Sequence, residues 1–158
     1  MKHLPKHLQP RWRYLAVAIE TWPDATLDRR AFQRAVWYAA QNLLGDTGSA
    51  EADMTVIRFD HADGEGHAVV RARRGETDPA RAALACIDAV DGAPVGLHVT
   101  GTSGTVRACE EKYIRGPAKS PGQRHVVFED TERPAVTRGQ RVDVRTDGGF
   151  VGATDLDI

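Results

Sequence analysis

Hydrophobic patterns of period two and period 3.6 take turns along the first 115 residues, and that alternation leaves the chain few ways to fold. Over residues 14–20, Leu15, Val17 and Ile19 alternate with Tyr14, Ala16 and Ala18, as in a strand with one buried face. Asp28 is placed to cap a long helix in which Phe32, Ala35, Val36, Ala39 and Leu43 form an apolar stripe. Trp37, Ala40 and Leu44 widen the stripe, and Gly45 supplies a stop signal. Residues 54–60 read as a second strand with Ile57 and Phe59 inward, 60–64 as a turn, and 65–74 as a third strand closing a hairpin. A second helix follows, capped by Thr77 or Asp78, with Pro79 at its first position and Ala83, Leu84, Ile87 and Val90 along one side. Val95, Leu97 and Val99 then alternate with Gly96, His98 and Thr100 in a fourth strand. That strand runs through Gly101-Thr102-Ser103-Gly104-Thr105-Val106-Arg107 into a third helix, where Val106, Cys109 and Tyr113 recur at helical spacing and Thr102 or Ser103 is placed to cap.

The order β-α-β-β-α-β predicts an α/β (α+β) sandwich of the ferredoxin-like, RNA-recognition-like kind, with an extra helix after the fourth strand. Two helices cover one face of a four-stranded sheet. The other face is expected to show Tyr14, Ala16, Ala18, Arg58, Arg71, Arg73, His98 and Thr100, and to suit a polyanion, a partner or the third helix folded across it. Residues 1–12 form a basic arm, 13–115 the main domain, and 116–158 a linker with a short β-rich extension. Within that extension 125–129, 141–145 and 150–153 are strand candidates, and the segment is too sparsely apolar to fold alone, which leaves a docked hairpin or a partly disordered extension.

Hydrophobic residues at 41% and charged residues at 27% argue against wholesale disorder. No apolar run approaches the roughly 20 residues of a membrane span and no secretory h-region is visible, so a cytoplasmic protein is expected. Cys86 and Cys109 both fall on helical apolar stripes and read as small core residues rather than a disulfide or metal site. The net charge of −1 is unevenly laid out. Lys2, Lys6, Arg11 and Arg13 face only Glu20 in residues 1–23, whereas Glu76, Asp78, Asp88 and Asp91 face only Arg81 in residues 75–94. Only Lys2, Lys6, Lys112 and Lys119 among the 21 basic residues are lysines. Such a composition fits a halophilic archaeon or a GC-rich genome. In about 1 M salt, screening cuts charge attraction to a range of about 3 Å, and arginine forks then matter more than net charge.

Two chemistries compete at the Gly101–Arg107 junction. A helix start with free N–H groups, small hydroxyl residues and a nearby arginine can hold a phosphate, and the same residues serve equally as a strand-to-helix turn. Arg71, Arg73 and Arg74 on the third strand stand where an RNA recognition motif carries aromatic residues, so contact with the backbone of folded RNA is favoured over base stacking, with a solvated strand end as the plain alternative. Arg11-Trp12-Arg13-Tyr14 can contact phosphates and stack, or Trp12 can simply cover the core. A hydrolase built on Ser103 and His98 lacks a supporting set, and His61 and His67 beside Asp60, Asp63 and Glu65 make only a weak metal pattern. A ferredoxin-like regulatory module binding a small anionic metabolite at Gly101–Thr105 is the alternative from another class.

Arg13-Tyr14-Leu15 at the first strand, Ala35-Val36-Trp37 with the later Leu44-Gly45, and Gly101-Thr102-Ser103-Gly104-Thr105-Val106-Arg107 occur in consistent order over about residues 5–115. Together they resemble the archaeal ribonuclease P protein component 2 family. The resemblance implies a non-catalytic protein subunit that binds and stabilises the ribonuclease P RNA, whose cleavage, with Mg²⁺ held by the RNA, removes the 5′ leader from precursor tRNA. No cofactor bound by the protein itself is implied. Implied partners are that RNA, ribonuclease P protein component 3 in a complex with two copies of each, the other ribonuclease P proteins, and precursor tRNA as substrate. By the same resemblance Arg13, Tyr14, Ser103, Gly104, Thr105 and Arg107 face RNA, together with Lys6, Arg11, Arg71, Arg73 and Lys112. The segment after Gly116 departs from the family pattern and is left without a role.

Overall fold

A computed structural model describes residues 5–9, 11–114 and 122–153, with only the backbone described at Lys6. A 3₁₀ turn at Lys6–Leu8 precedes β1 (Trp12–Thr21), α1 (Arg29–Ala52), β2 (Thr55–Ala62), β3 (Glu65–Arg73) and α2 (Thr77–Ala85). Next come β4 (Ala89–Val90), β5 (Ala93–Ser103), α3 (Val106–Tyr113) and then β6 (Gly122–Phe128), β7 (Thr131–Arg138), β8 (Arg141–Thr146) and β9 (Gly149–Ala153). The first sheet has the order β2-β3-β1-β5-β4, and each neighbouring pair is antiparallel. The strand most regularly alternating in sequence, β1, lies at its centre.

Two helices cover one face. Leu15, Val17, Ile19, Val56, Ala68, Val70 and Ala72 bury that face under Phe32, Val36 and Ala40 of α1 and Ala80, Ala83 and Leu84 of α2. Asp28 caps α1 as its position predicts, accepting from the Ala31 N–H at 2.7 Å. Gly45 (φ 73°) breaks that helix, but the chain resumes helical geometry and stops only at Asp53, which is itself left-handed at φ 47°. On the edge strand β2, outward main-chain groups are satisfied by α1 side chains: Gln33 accepts from the Val56 N–H (2.7 Å) and Arg29 donates to the Val56 carbonyl (2.8 Å).

Several expectations are corrected. The register of β2 shifts between Val56 and Arg58, so Phe59 reaches the α1 side, where its ring lies 5.3 Å from Phe32, while Ile57 turns to the opposite face. A bulge of this kind reverses the parity on which the inward assignment of Ile57 rested. Helix α2 begins at Thr77 behind an N-cap at Glu76 that makes no side-chain bond, so Pro79 is its third residue; its missing N–H falls among the four that a helix leaves free. Ile87 and Val90 lie beyond the helix, Val90 in the two-residue β4. Cys86, at the end of α2, is exposed, whereas Cys109 is buried.

The second sheet face is closed by α3, one of the three occupants the sequence allows. Cys109 packs on Ala16 and Val69, with Tyr14, Ile57, Tyr113 and Ile114 around them. Helix α3 is capped by Thr105, accepting from the Ala108 N–H at 3.1 Å, and not by Thr102 or Ser103, because β5 continues through Ser103. Gly101 is the seat of this helix: a Cβ there would stand 2.1 Å from the Tyr113 ring.

The expected linker at 116–121 lies outside the described residues, and residues 122–153 form a four-stranded antiparallel meander in the order β6-β7-β8-β9 rather than a hairpin. Val126, Ala135, Val142, Val144 and Ala153 pack as its own cluster with Phe128. It docks through Arg138, whose side chain is 5% exposed. The guanidinium donates to Asp143 (2.7 Å), the Thr21 carbonyl (2.5 Å) and the Gly64 carbonyl (3.1 Å), and pairs with Glu65 at 3.5 Å. Around it Arg141 pairs with Glu20, Phe150 stacks on Trp22 at 5.9 Å, and the Arg145 guanidinium lies 4.9 Å from the Trp22 ring centroid. The hydrogen bond with Glu20 is the main cause holding the Arg141 guanidinium above its ordinary pKa.

Beside this junction, His61 Nε2 lies 2.8 Å from the Thr21 hydroxyl. Partial burial lowers the His61 pKa, and Asp60 and Asp63 pull it only partly back. The folded value lies below the ordinary imidazole value of about 6.5, so the neutral ring contributes stability that is fully present above that pH and is lost as pH falls through the folded value. Denaturation midpoints at pH 5 should therefore fall below those at pH 7.5, and His61→Gln should narrow the difference.

Candidate nucleic-acid interface

Antiparallel pairing gathers distant arginines at one end of the first sheet. The start of β1 lies against the end of β3, with Trp12 opposite Arg73 and Tyr14 opposite Arg71, and against the end of β5, with Tyr14 opposite Ser103. The Arg74 N–H donates to the Arg11 carbonyl at 2.9 Å, extending the contact beyond the paired residues. Arg11, Arg13, Arg71, Arg73 and Arg74 therefore share one end of the sheet. Among the described residues, Asp53 is the one carboxylate paired with any of them, at 3.5 Å from Arg73.

Trp12 organises this group. Arg71 lies 4.0 Å from its ring centroid and Arg73 5.9 Å, distances at which a guanidinium is drawn to the ring face. Such contacts contribute about 0.5–1 kcal/mol at exposed sites and, more usefully, restrict long side chains before a ligand arrives. The Arg71 Nε is buried and has no hydrogen-bond partner. Trp12 is thus neither a core cover nor a free stacking platform, the two roles left open by the sequence. Arg13 donates to the Trp12 carbonyl at 3.2 Å and lies beside Gly104, where an added Cβ would be 3.6 Å from its Nη1.

The remaining predicted residues have other settings. Tyr14 is half-buried beneath α3, and the Thr105 hydroxyl is committed to the helix cap. Arg107 and Lys112 lie on α3, Arg107 paired with Glu111 at 2.9 Å and Lys112 lying 5.3 Å from the Tyr113 ring centre. The Lys6 side chain lies outside the described residues. Arg74 was named from the sequence with Arg71 and Arg73, whereas Asp53, which pairs with Arg73, was not singled out. The spacing that could have found the group is i, i+2 on both strands: Trp12 with Tyr14, and Arg71 with Arg73, on one face.

No catalytic constellation accompanies the basic end among the described residues. His98 is exposed on β5, and neither it nor Ser103 makes a side-chain hydrogen bond to the other. The Cys109 thiol donates to the Tyr14 carbonyl at 3.6 Å, and burial, with Glu110 adding, pushes its pKa up, away from thiolate chemistry. Among the described residues no group of three or more His, Cys, Asp or Glu is placed to hold a metal ion, and no helix is long and apolar enough to cross a membrane.

The model of the Rpp14/Pop5 family matches residues 13–114. Ribonuclease P protein component 2 of Haloarcula marismortui is 69% identical over 160 residues, covering 100% of this chain and 99% of that protein. The similarity to ribonuclease P protein component 2 of Methanosarcina barkeri is 29% over 121 residues, 77% of this chain and 85% of that one. A chain in the structure of yeast ribonuclease MRP is similar over 60% of this chain and 75% of its own length, with a TM-score of 0.46 and 16% identity, a level that carries no functional argument. Full-length similarity to the Haloarcula protein includes the docked meander. These relationships set aside the metabolite-binding module. With the family match covering residues 13–114 and the Haloarcula similarity covering the full chain, the chain belongs to the Rpp14/Pop5 family, as a protein subunit of the endoribonuclease ribonucleoprotein ribonuclease P.

Proposed function

We propose that this subunit binds and stabilises the catalytic RNA of ribonuclease P through the arginine end of its first sheet, supporting removal of the 5′ leader from precursor tRNA. The observation that carries the reading is the gathering of five arginines at one end of the sheet, Arg71 and Arg73 over Trp12, with, among the described residues, a single paired carboxylate, Asp53. Since Arg71 already lies over the Trp12 ring and α3 covers Tyr14, stacking of a splayed base is disfavoured. Contact with phosphates of folded RNA follows, made by guanidinium forks that retain short-range geometry when salt screens longer-range attraction.

In this reading the RNA performs cleavage with its own Mg²⁺, and the protein binds no cofactor. Component 3, two copies with two of this chain, joins the other ribonuclease P proteins in the assembly, in the cytoplasm. The sheet order β2-β3-β1-β5 supports a ferredoxin-like description of 13–115, with 1–12 as a basic arm and 116–158 as an extension.

The test uses the three exposed arginines of the group. Arg11→Ala, Arg73→Ala and Arg74→Ala together should leave the unfolding midpoint nearly unchanged while weakening RNA binding. The slope of log K against log salt should fall by about one for each phosphate that is no longer neutralised. Precursor tRNA cleavage by the reconstituted complex should fall in parallel. Unchanged binding, slope and cleavage would overturn the assignment.

A further inference from the structure

On its side away from β1, β5 is paired only where Pro94 and Ala93 meet Ala89 and Val90 of β4. From Gly96 to Ser103 that side has no strand partner among the described residues. Main-chain N–H and C=O groups of this eight-residue stretch therefore point away from the sheet, with one interruption at Thr100, the extra residue of a bulge opposite Ala16 and Val17. Protein edges of this length are commonly blunted with lysine, proline, inward charges or bulges, and here the bulge stands alone. The sequence Gly96-Leu97-His98-Val99-Thr100-Gly101-Thr102-Ser103 contains no lysine, proline or carboxylate.

A cavity of about 400 Å³ runs beside the same edge. Arg81, Ala82 and Ala85 of α2 form one wall, and Leu97 and Val99 of β5 the other. The alanine wall leaves room for an aliphatic side chain. Arg81 is exposed, pairs with no carboxylate among the described residues, and is the lone basic residue between Gly75 and Pro94.

We propose that this edge accepts an extended segment of another protein of the ribonucleoprotein, added as a strand beside β5, with an aliphatic side chain in the cavity and a carboxylate on Arg81. The open main-chain row selects an extended polypeptide, since a helix satisfies its own backbone groups and cannot saturate a strand edge. Arg81, the one formally charged residue lining the cavity, selects a segment that carries a carboxylate there. A second copy of β5 would bring another Arg81 and His98 and no carboxylate of its own strand, and nucleic acid would leave the apolar walls and the main-chain donors and acceptors unmatched. The inference rests on the chain working within a multi-protein ribonucleoprotein but not on the arginine end being the RNA contact.

Hydrogen exchange of the full chain, free and within the purified ribonucleoprotein, tests it. Amides between residues 96 and 103 should exchange at least about tenfold more slowly in the assembly, the signature of added strand pairing. Ala85→Arg fills the cavity from an exposed helix position and should remove that slowing, or exclude the subunit, while leaving its free-state circular dichroism unchanged. Equal exchange in the free and assembled chain overturns the proposal. So does slowing that appears in the free chain as its concentration rises, which identifies a second copy, and slowing that disappears when the RNA is digested with the proteins still associated. Arginine variants that retain full RNA binding would defeat the preceding proposal and leave this one standing.

Discussion

Arg138→Met will weaken the chain more than any other single substitution considered, by about 3–5 kcal/mol, the usual loss when one partner of a buried ion pair is removed. The variant leaves Asp143, only 8% exposed, without its 2.7 Å partner and removes the guanidinium from the Thr21 carbonyl, while the Gly64 carbonyl keeps the Thr21 N–H at 2.9 Å. Methionine keeps much of the arginine's volume, so the loss is electrostatic rather than a cavity. The measurement is urea unfolding followed at two places: Trp22, at the contact with Phe150, and the far-ultraviolet signal of the helices. The Trp22 transition should move to lower urea before the helices melt. Adding Asp143→Leu to Arg138→Met should recover part of the loss, because an apolar pair leaves no buried charge unmatched. Equal midpoints for wild type and Arg138→Met would show that the meander is held by its apolar contacts alone.

Gly101→Val should produce the second large effect, a loss of about 1–3 kcal/mol or more from overpacking against Tyr113. Even the first carbon of a side chain meets the ring at 2.1 Å, so no rotamer relieves the clash, and either α3 lifts or β5 bends away. Limited proteolysis within α3 should accelerate with the fall in denaturation midpoint. Tyr113→Ala in the same chain should offset much of the damage by opening the space. Gly104→Val is the control: its added Cβ meets Arg13 Nη1 at an ordinary 3.6 Å, and its stability should change little. These two glycines look equivalent in Gly101-Thr102-Ser103-Gly104 yet have different physical reasons for being there.

The contrast between them shows what the sequence makes readable. Period-two alternation found β1 and β5, and helical spacing found Phe32, Val36 and Ala40 of the buried α1 face and the Cys109 contact, because each signal is local and repeats, whereas Trp37 and Leu43 of the same expected stripe are exposed. The Asp28 cap was legible for the same reason. Bulges were not: the shift between Val56 and Arg58 changes which face Ile57 occupies, although no glycine or proline marks it. Strand β7 was missed because Thr131-Glu132-Arg133-Pro134 is polar, and the buried Ala135 and Val136 are too few to set a pattern. At the candidate interface, Arg13, Arg71 and Arg73 could be named individually. Their shared position follows only from the antiparallel register, and the role of Trp12 as a support for guanidinium groups depends on cross-strand neighbours that no sequence window contains.

The Arg138 junction also bears on the order in which the chain acquires its structure. Its hydrogen bond to the Thr21 carbonyl joins residues 117 positions apart, and the Arg141–Glu20 pair spans 121. Loops of that length close late and at an entropic disadvantage relative to the nearer pairings of β2 with β3 or β7 with β8. On a ribosome, Thr21, Trp22 and Asp24 emerge long before β7 and β8 exist to cover them. The first sheet must therefore assemble with this end uncovered, and docking of the meander becomes the closing event of folding, completed only after residues 138–150 have been synthesised.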